Sequence, residues 1–190
     1  MANKDAAFGL KPIGKVGQNR DNQGLSEYLI AASSSAIYFQ DPVKMAASGA
    51  IVVAGAGGAI LGSLGGIFFT DANTSKPTFA NNLKASNTAT DIVAFVADDP
   101  YERFEVQSNN AAASAQTDVF MNADIAYTAG DSANYVSKVE LDDSSLSTTS
   151  GQLKIMGVST NIDNNDLASA NTNFVVSINE HFYKAAVAGI

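Results

Sequence analysis

Short runs of alternating apolar and polar residues, broken every few positions by glycine, proline, serine or asparagine, set the character of this chain. Such runs predict half-buried β-strands, because successive side chains on a strand point to opposite faces. Residues 103–107 alternate cleanly and place Phe104 and Val106 inward. Residues 135–141 alternate too, with Lys138 and Glu140 outward. Further strands are predicted at 28–30, 36–39, 43–45, 50–53, 153–158 and 174–178, and one within 60–69 that ends in Ile67-Phe68-Phe69. Residues 92–96 are continuously apolar, which predicts a strand buried on both faces. Asp41-Pro42 and Asp98-Asp99-Pro100 punctuate the pattern, since proline biases its predecessor to extended geometry. Residues 70–87 read as a long polar loop, and 118–123 as the best short helix. No repeat of fixed period is present. The expected fold is all-β, a barrel or sandwich of short strands with an extended N-terminal arm. The arm is residues 1–24, punctuated by glycines and Pro12, and residues 25–190 are a single β-rich domain.

Composition narrows the chemistry. The chain has no cysteine, which excludes disulfides, thiolate metal sites and thiol catalysis. No secretory signal is expected at the amino terminus. Residues 50–69 carry no charge, but their glycine content makes a membrane-spanning helix a poor reading and a loop with strands the better one. Net charge is −8 and unevenly placed. Lys4, Lys11, Lys15 and Arg20 stand against Asp5 alone in the first twenty residues, while the remainder is strongly acidic. An acidic body repels phosphate, so neither nucleic acid nor membrane is an expected partner. The basic arm either seeks an acidic protein surface or is simply solvated.

Motifs that tempt a catalytic reading fall short. The cluster Gly55-Ala-Gly57-Gly58-Ala-Ile60 has isoleucine where a dinucleotide fingerprint needs its third glycine, and no lysine follows as a phosphate loop requires. Asp98-Asp99 and Asp142-Asp143 are adjacent pairs, which a strand would point apart. Asp163-Asn-Asn-Asp166 lacks the glycine and the distal glutamate of a calcium loop. His181 is the only histidine, and no Gly-x-Ser-x-Gly elbow accompanies it. No enzyme activity, cofactor or metal is expected.

Several segments, in order, resemble a family of tailed-bacteriophage virion structural proteins encoded beside the major capsid protein. They are Ala7-Phe-Gly-Leu-Lys-Pro-Ile-Gly14, Tyr28-Leu-Ile-Ala31, Ala36-Ile-Tyr-Phe-Gln-Asp-Pro-Val-Lys44, Gly66-Ile-Phe-Phe-Thr-Asp71, Lys76-Pro-Thr-Phe79, Ala97-Asp-Asp-Pro100, Phe104-Glu-Val-Gln107 and Val176-Ser-Ile-Asn-Glu-His181. The resemblance implies a head decoration (cement) protein on the outer surface of the capsid, with the major capsid protein as partner. It also implies self-association, a homotrimer being the first expectation. A tail or neck component and a particle-borne carbohydrate-binding module are the alternatives, the latter disfavoured by the absence of tryptophan. Lys4, Phe8, Leu10, Lys11, Ile13, Lys15, Val16 and Arg20 are the expected capsid-binding residues of the arm, which should be poorly ordered until it docks on a neighbour. Apolar residues of 50–69 are expected to be partly buried between subunits, with packing inside the chain as the competing explanation.

Overall fold

The structure, a computed structural model, describes residues 2–17, 24–31, 34–109 and 113–184. Twelve strands form two antiparallel sheets. The first sheet runs β1 (Lys11–Lys15), β8 (Glu102–Gln107), β12 (Asn173–Ile178), β11 (Leu153–Val158), β9 (Asn122–Ala126), β10 (Glu140–Ser147). The second runs β2 (Ser26–Leu29), β7 (Val93–Ala97), β5 (Gly62–Thr70), β3 (Pro42–Met45), β4 (Ile51–Val53), with β6 (Pro77–Ala80) paired to the far end of β5.

Each sheet curls back on itself, the first closing between β8 and β10 with β1 left on the outside of β8, the second between its end strands β2 and β4. Ser108 bridges Leu141, joining β8 to β10, and Ile30 bridges Ile51, joining the end of β2 to β4. Two small barrel-like rings result, which leaves few strand edges open to water. Each ring encloses its own core. Phe104, Val106, Leu141, Leu153, Ile155, Phe174 and Val176 fill the first. Ile37, Val43, Ile51, Leu61, Leu64, Ile67 and Val96 fill the second. The uncharged stretch 50–69 is therefore consumed inside the chain, with Ile51, Ala54, Ile60, Leu61, Leu64 and Ile67 all fully or almost fully buried. Packing within one subunit explains its composition.

Chain order and space disagree in one respect. Strand β1 belongs to the first sheet, the chain then leaves to build the whole second sheet, and β8 returns to pair with β1. Segment 2–17 is consequently no free arm. Asn3 and Lys4 bond to the 164–172 loop, and Ala6 donates to Gln107. Leu10 is wholly buried in the first core. Its N–H donates to Gln40 at 2.9 Å, and its carbonyl accepts from Ser63 Oγ at 2.6 Å. Gly9 beside it has φ +79°, and a Cβ there would stand 2.3 Å from the Gln40 carbonyl and 2.5 Å from Ser137 Cβ. Only glycine fits both the conformation and the space.

Other readings also change. Residues 70–87 contain strand β6 rather than loop throughout. Residues 118–123 hold no α-helix; a single 3-10 turn at Gln116–Asp118 leads into β9. The strand expected at 135–141 starts only at Glu140, and that at 36–39 reduces to isolated bridges from Ile37 and Phe39. Strand β7 is buried on one face, with Val93 and Phe95 half-exposed on the other.

Leu10→Ala should destabilise the whole protein by about 2–5 kcal/mol through the cavity it leaves, lowering Tm on the order of 10 °C. A loosely attached arm would show no change, and calorimetry distinguishes the two.

Candidate interaction surface

The structure scatters the cations expected to reach a partner and pairs them with the chain's own carboxylates. Lys4 Nζ lies 3.4 Å from Asp163, Lys11 3.4 Å from Glu105, and Lys15 2.8 Å from Asp99. The positive segment thus lies along acidic groups of its own body. Phe8 and Ile13 are half-buried, Leu10 is buried, and Val16 alone of the four apolar candidates is exposed. Arg20 lies outside the described residues.

A different surface is more conspicuous. In antiparallel pairing, directly opposed residues share a face. Leu29 opposes Val93, Val93 opposes Phe68, and Phe68 opposes Phe79. These four form one apolar row across β2, β7, β5 and β6, on the outside of the second ring. Phe79 is 74% exposed and Leu29 66%. The Phe79 ring lies 4.8 Å from that of Phe68 and 6.2 Å from that of Phe95. Leu25 adds to the row by lying over Gly65, whose missing side chain leaves it room. Phe79, Phe95, Leu25, Gly65 and Gly66 border a shallow groove of about 350 Å³. Sequence reasoning missed this row because it depends on register across four strands. The one visible signal was the alternation Pro77-Thr-Phe-Ala80.

The residues suspected of chemistry serve structure. Asp98 accepts from Ser26 Oγ at 2.8 Å and from the Tyr28 hydroxyl, whereas Asp99 turns to Lys15 and the Tyr101 N–H. Asp142 closes a turn with Ser144, and Asp143 is buried on Ser108. Asp166 caps the turn at Ala168 and Ser169. Among the described residues no group of three potential ligands converges on a metal position. The glycine loop offers carbonyls instead of N–H groups. Gly55 and Gly58 both accept from Gln152 Nε2, at 3.0 and 2.9 Å. His181 is fully buried, its Nδ1 accepts the Tyr183 N–H at 3.1 Å, and among the described residues no hydroxyl or carboxylate meets its Nε2.

Several buried groups titrate abnormally. Burial lifts the Asp41 carboxyl to about 6, although the Tyr38 N–H opposes this. Burial lifts Glu102 to about 7 against the Gly14 N–H and the charge of Lys15. It lifts Glu140 to about 7, with Asp5 and Asp143 adding repulsion. Burial pulls His181 down to about 4, and Lys184 adds to that. Each shift makes the ionised form costly in the folded state.

The signs give a testable profile. A carboxyl raised from 4.5 to about 7 disfavours folding above pH 7, and that penalty fades as pH falls toward 4.5. A histidine lowered from 6.5 to about 4 costs stability as pH falls through that interval. The urea midpoint should therefore rise from about pH 8 to about pH 6.5, where only the carboxyls act, with the gain opposed by His181 below that. Glu102→Gln with Glu140→Gln should flatten the alkaline limb and steepen the acid one, since the carboxyl gain that offsets His181 down to pH 4.5 is then gone. A midpoint that climbs from pH 7 to pH 8 in the unmodified protein contradicts this assignment.

Among the described residues no helix is long and apolar enough to cross a membrane. The chain matches no known family model, no curated protein and no solved structure; it stands as an all-β protein built of two antiparallel sheets.

Proposed function

We propose that this protein is a head decoration protein of a tailed bacteriophage, binding the outer surface of the major capsid shell and reinforcing it. The observation that carries this reading is the exposed row Leu29, Val93, Phe68 and Phe79 on one ring of an otherwise acidic body. Contiguous apolar surface with aromatic members is a mark of a protein-binding site. A continuous row fixed by strand pairing offers an extended contact line to a large partner such as a shell. The acidic remainder keeps the outward surface soluble. The ordered sequence motifs add the family resemblance. The N-terminal segment enters this reading differently from a free arm: it is stapled to the body, and only Val16 and half-buried Phe8 and Ile13 remain for contact.

Self-association follows as a homotrimer, since threefold positions on a shell favour three-way contacts. Light scattering that gives a monomer mass both free and released from particles disposes of the trimer.

Phe79→Ser removes the most exposed ring of the row and has no core role. It should leave Tm within about 1 °C and weaken binding to shells assembled without this protein. A buried phenyl is worth about 2 kcal/mol, so the loss should be roughly 30-fold. Lys11→Glu should weaken binding far less, because Lys11 already faces Glu105. Co-sedimentation with such shells measures both. Equal binding by the Phe79 variant overturns the role given to the row. Failure of the intact protein to bind any shell overturns the decoration reading itself.

A further inference from the structure

Alternation along β5 and β6 gives the hairpin two chemically different sides. Phe68 and Phe79 point outward, while Phe69 and Thr78, the next opposed pair, point the other way. On that second side the end of the ring opens into a cleft of about 350 Å³. Phe69, Ala72 and Ala80 give it apolar surface, and amide, hydroxyl and carboxylate side chains supply most of the remaining lining. The mouth of a small β-barrel is a recurrent ligand site, and this volume is at the lower end of such sites.

Asn82 lines the cleft and is buried, and among the described residues its Nδ2 has no hydrogen-bond partner. Buried amide donors are almost always paired, so an orphan on a cleft wall marks a place where a ligand oxygen belongs. Asp71, in the β5–β6 turn, also lines the cleft. Its Oδ1 accepts from the N–H groups of Asn73 and Thr74 and from the Thr74 hydroxyl, at 2.9, 2.8 and 3.1 Å. These bonds fix the carboxylate in place and hold its titration below the usual range. The second oxygen, Oδ2, is left to accept from a ligand hydroxyl. Ser86 and Thr88, both exposed, add hydroxyls to the lining. Lys84 also borders the cleft, but its ammonium stands 4.9 Å over the Tyr135 ring.

We propose that this cleft binds a neutral saccharide unit of hexose size. A hexose presents several hydroxyls, each both donor and acceptor, around one apolar ring face. The cleft presents a fixed acceptor at Asp71, a donor at Asn82, hydroxyls that serve as either, and one aromatic wall at Phe69. A nucleotide or other polyanion would meet the Asp71 carboxylate with no cation dedicated to it. A purely apolar ligand would leave Asn82 unpaired. This inference does not rest on the shell-binding reading, because the cleft and the outer row lie on opposite sides of the hairpin. A protein docked through the row keeps the cleft open.

Saturation-transfer NMR on the full chain with glucose, galactose, mannose and N-acetylglucosamine, each at millimolar concentration, tests it. At least one sugar should receive transfer. Asn82→Ala should weaken that sugar at least tenfold, and so should Ser86→Ala combined with Thr88→Val. Phe79→Ser should change nothing. The rim pair is exposed, so it decides the matter should the Asn82 variant fold poorly. Absence of transfer to all four sugars overturns the proposal, as does transfer that survives undiminished in the rim variant. Loss of transfer in Phe79→Ser would relocate the binding to the outer face and equally overturn it.

Discussion

A chain that leaves one sheet, builds a second and then returns must satisfy the backbone at the crossing. Everything else in this fold depends on that seam. Leu10 performs most of it, with its side chain in the first core, its N–H on Gln40 and its carbonyl on Ser63 of the second ring. Gln40 matches it by adopting φ +66°, a left-handed conformation unusual outside glycine, while its own N–H bonds Leu64. Buried main-chain groups left unpaired cost more than such local strain, so the strained geometry is the cheaper solution. Gln152 repeats the device at the other end of the seam. It joins the glycine loop of the second ring to Ile125 and Asp124 of the first.

The seam also explains the electrostatics of the amino-terminal segment. Once Leu10 is fixed, the flanking lysines are held against whatever the first ring presents. That ring presents Glu105, Asp99 and, on its loop, Asp163. The exposed Lys4–Asp163 pair is worth little by itself, while Lys11–Glu105 and Lys15–Asp99 are partly covered. Their effect is to neutralise a segment that the sequence shows as a block of positive charge. The exposed phenyl and leucyl surface of the apolar row, Phe79 and Leu29 above all, carries no such internal compensation by charge.

Legibility in the sequence followed the range of the interactions. Residues 103–107, 153–158 and 174–178 were readable because alternation is local and their inward residues, Phe104, Ile155 and Val176 among them, are wholly buried. Strand β1 was hidden by Pro12 and Gly14, which look like breakers until pairing with β8 absorbs them as an edge position and a bulge. Residues 118–123 looked helical, yet Phe120 takes φ +75° and gives its N–H to Ile155, a partner no local pattern reveals. The outer row and the polar cleft were equally invisible. Each is assembled by register between strands distant in sequence, and a shift of one residue in β6 would exchange Phe79 with Thr78 and abolish both.

That exchange shows how tightly the two surfaces are coupled. The β5–β6 hairpin is short, and its turn is held by Asp71 through Asn73 and Thr74, with the Lys76 carbonyl accepting the Asp71 N–H at 3.0 Å. Turn geometry fixes hairpin register. Asp71 therefore decides which side of the sheet receives the phenyl ring of Phe79 and which receives the hydroxyl of Thr78. A residue at the cleft rim thus also specifies the outer face. The two surfaces share a single register while presenting opposite chemistry, apolar outward and hydrogen-bonding inward. Contact through one leaves the other unobstructed, because a pleated strand places neighbouring side chains on opposite sides.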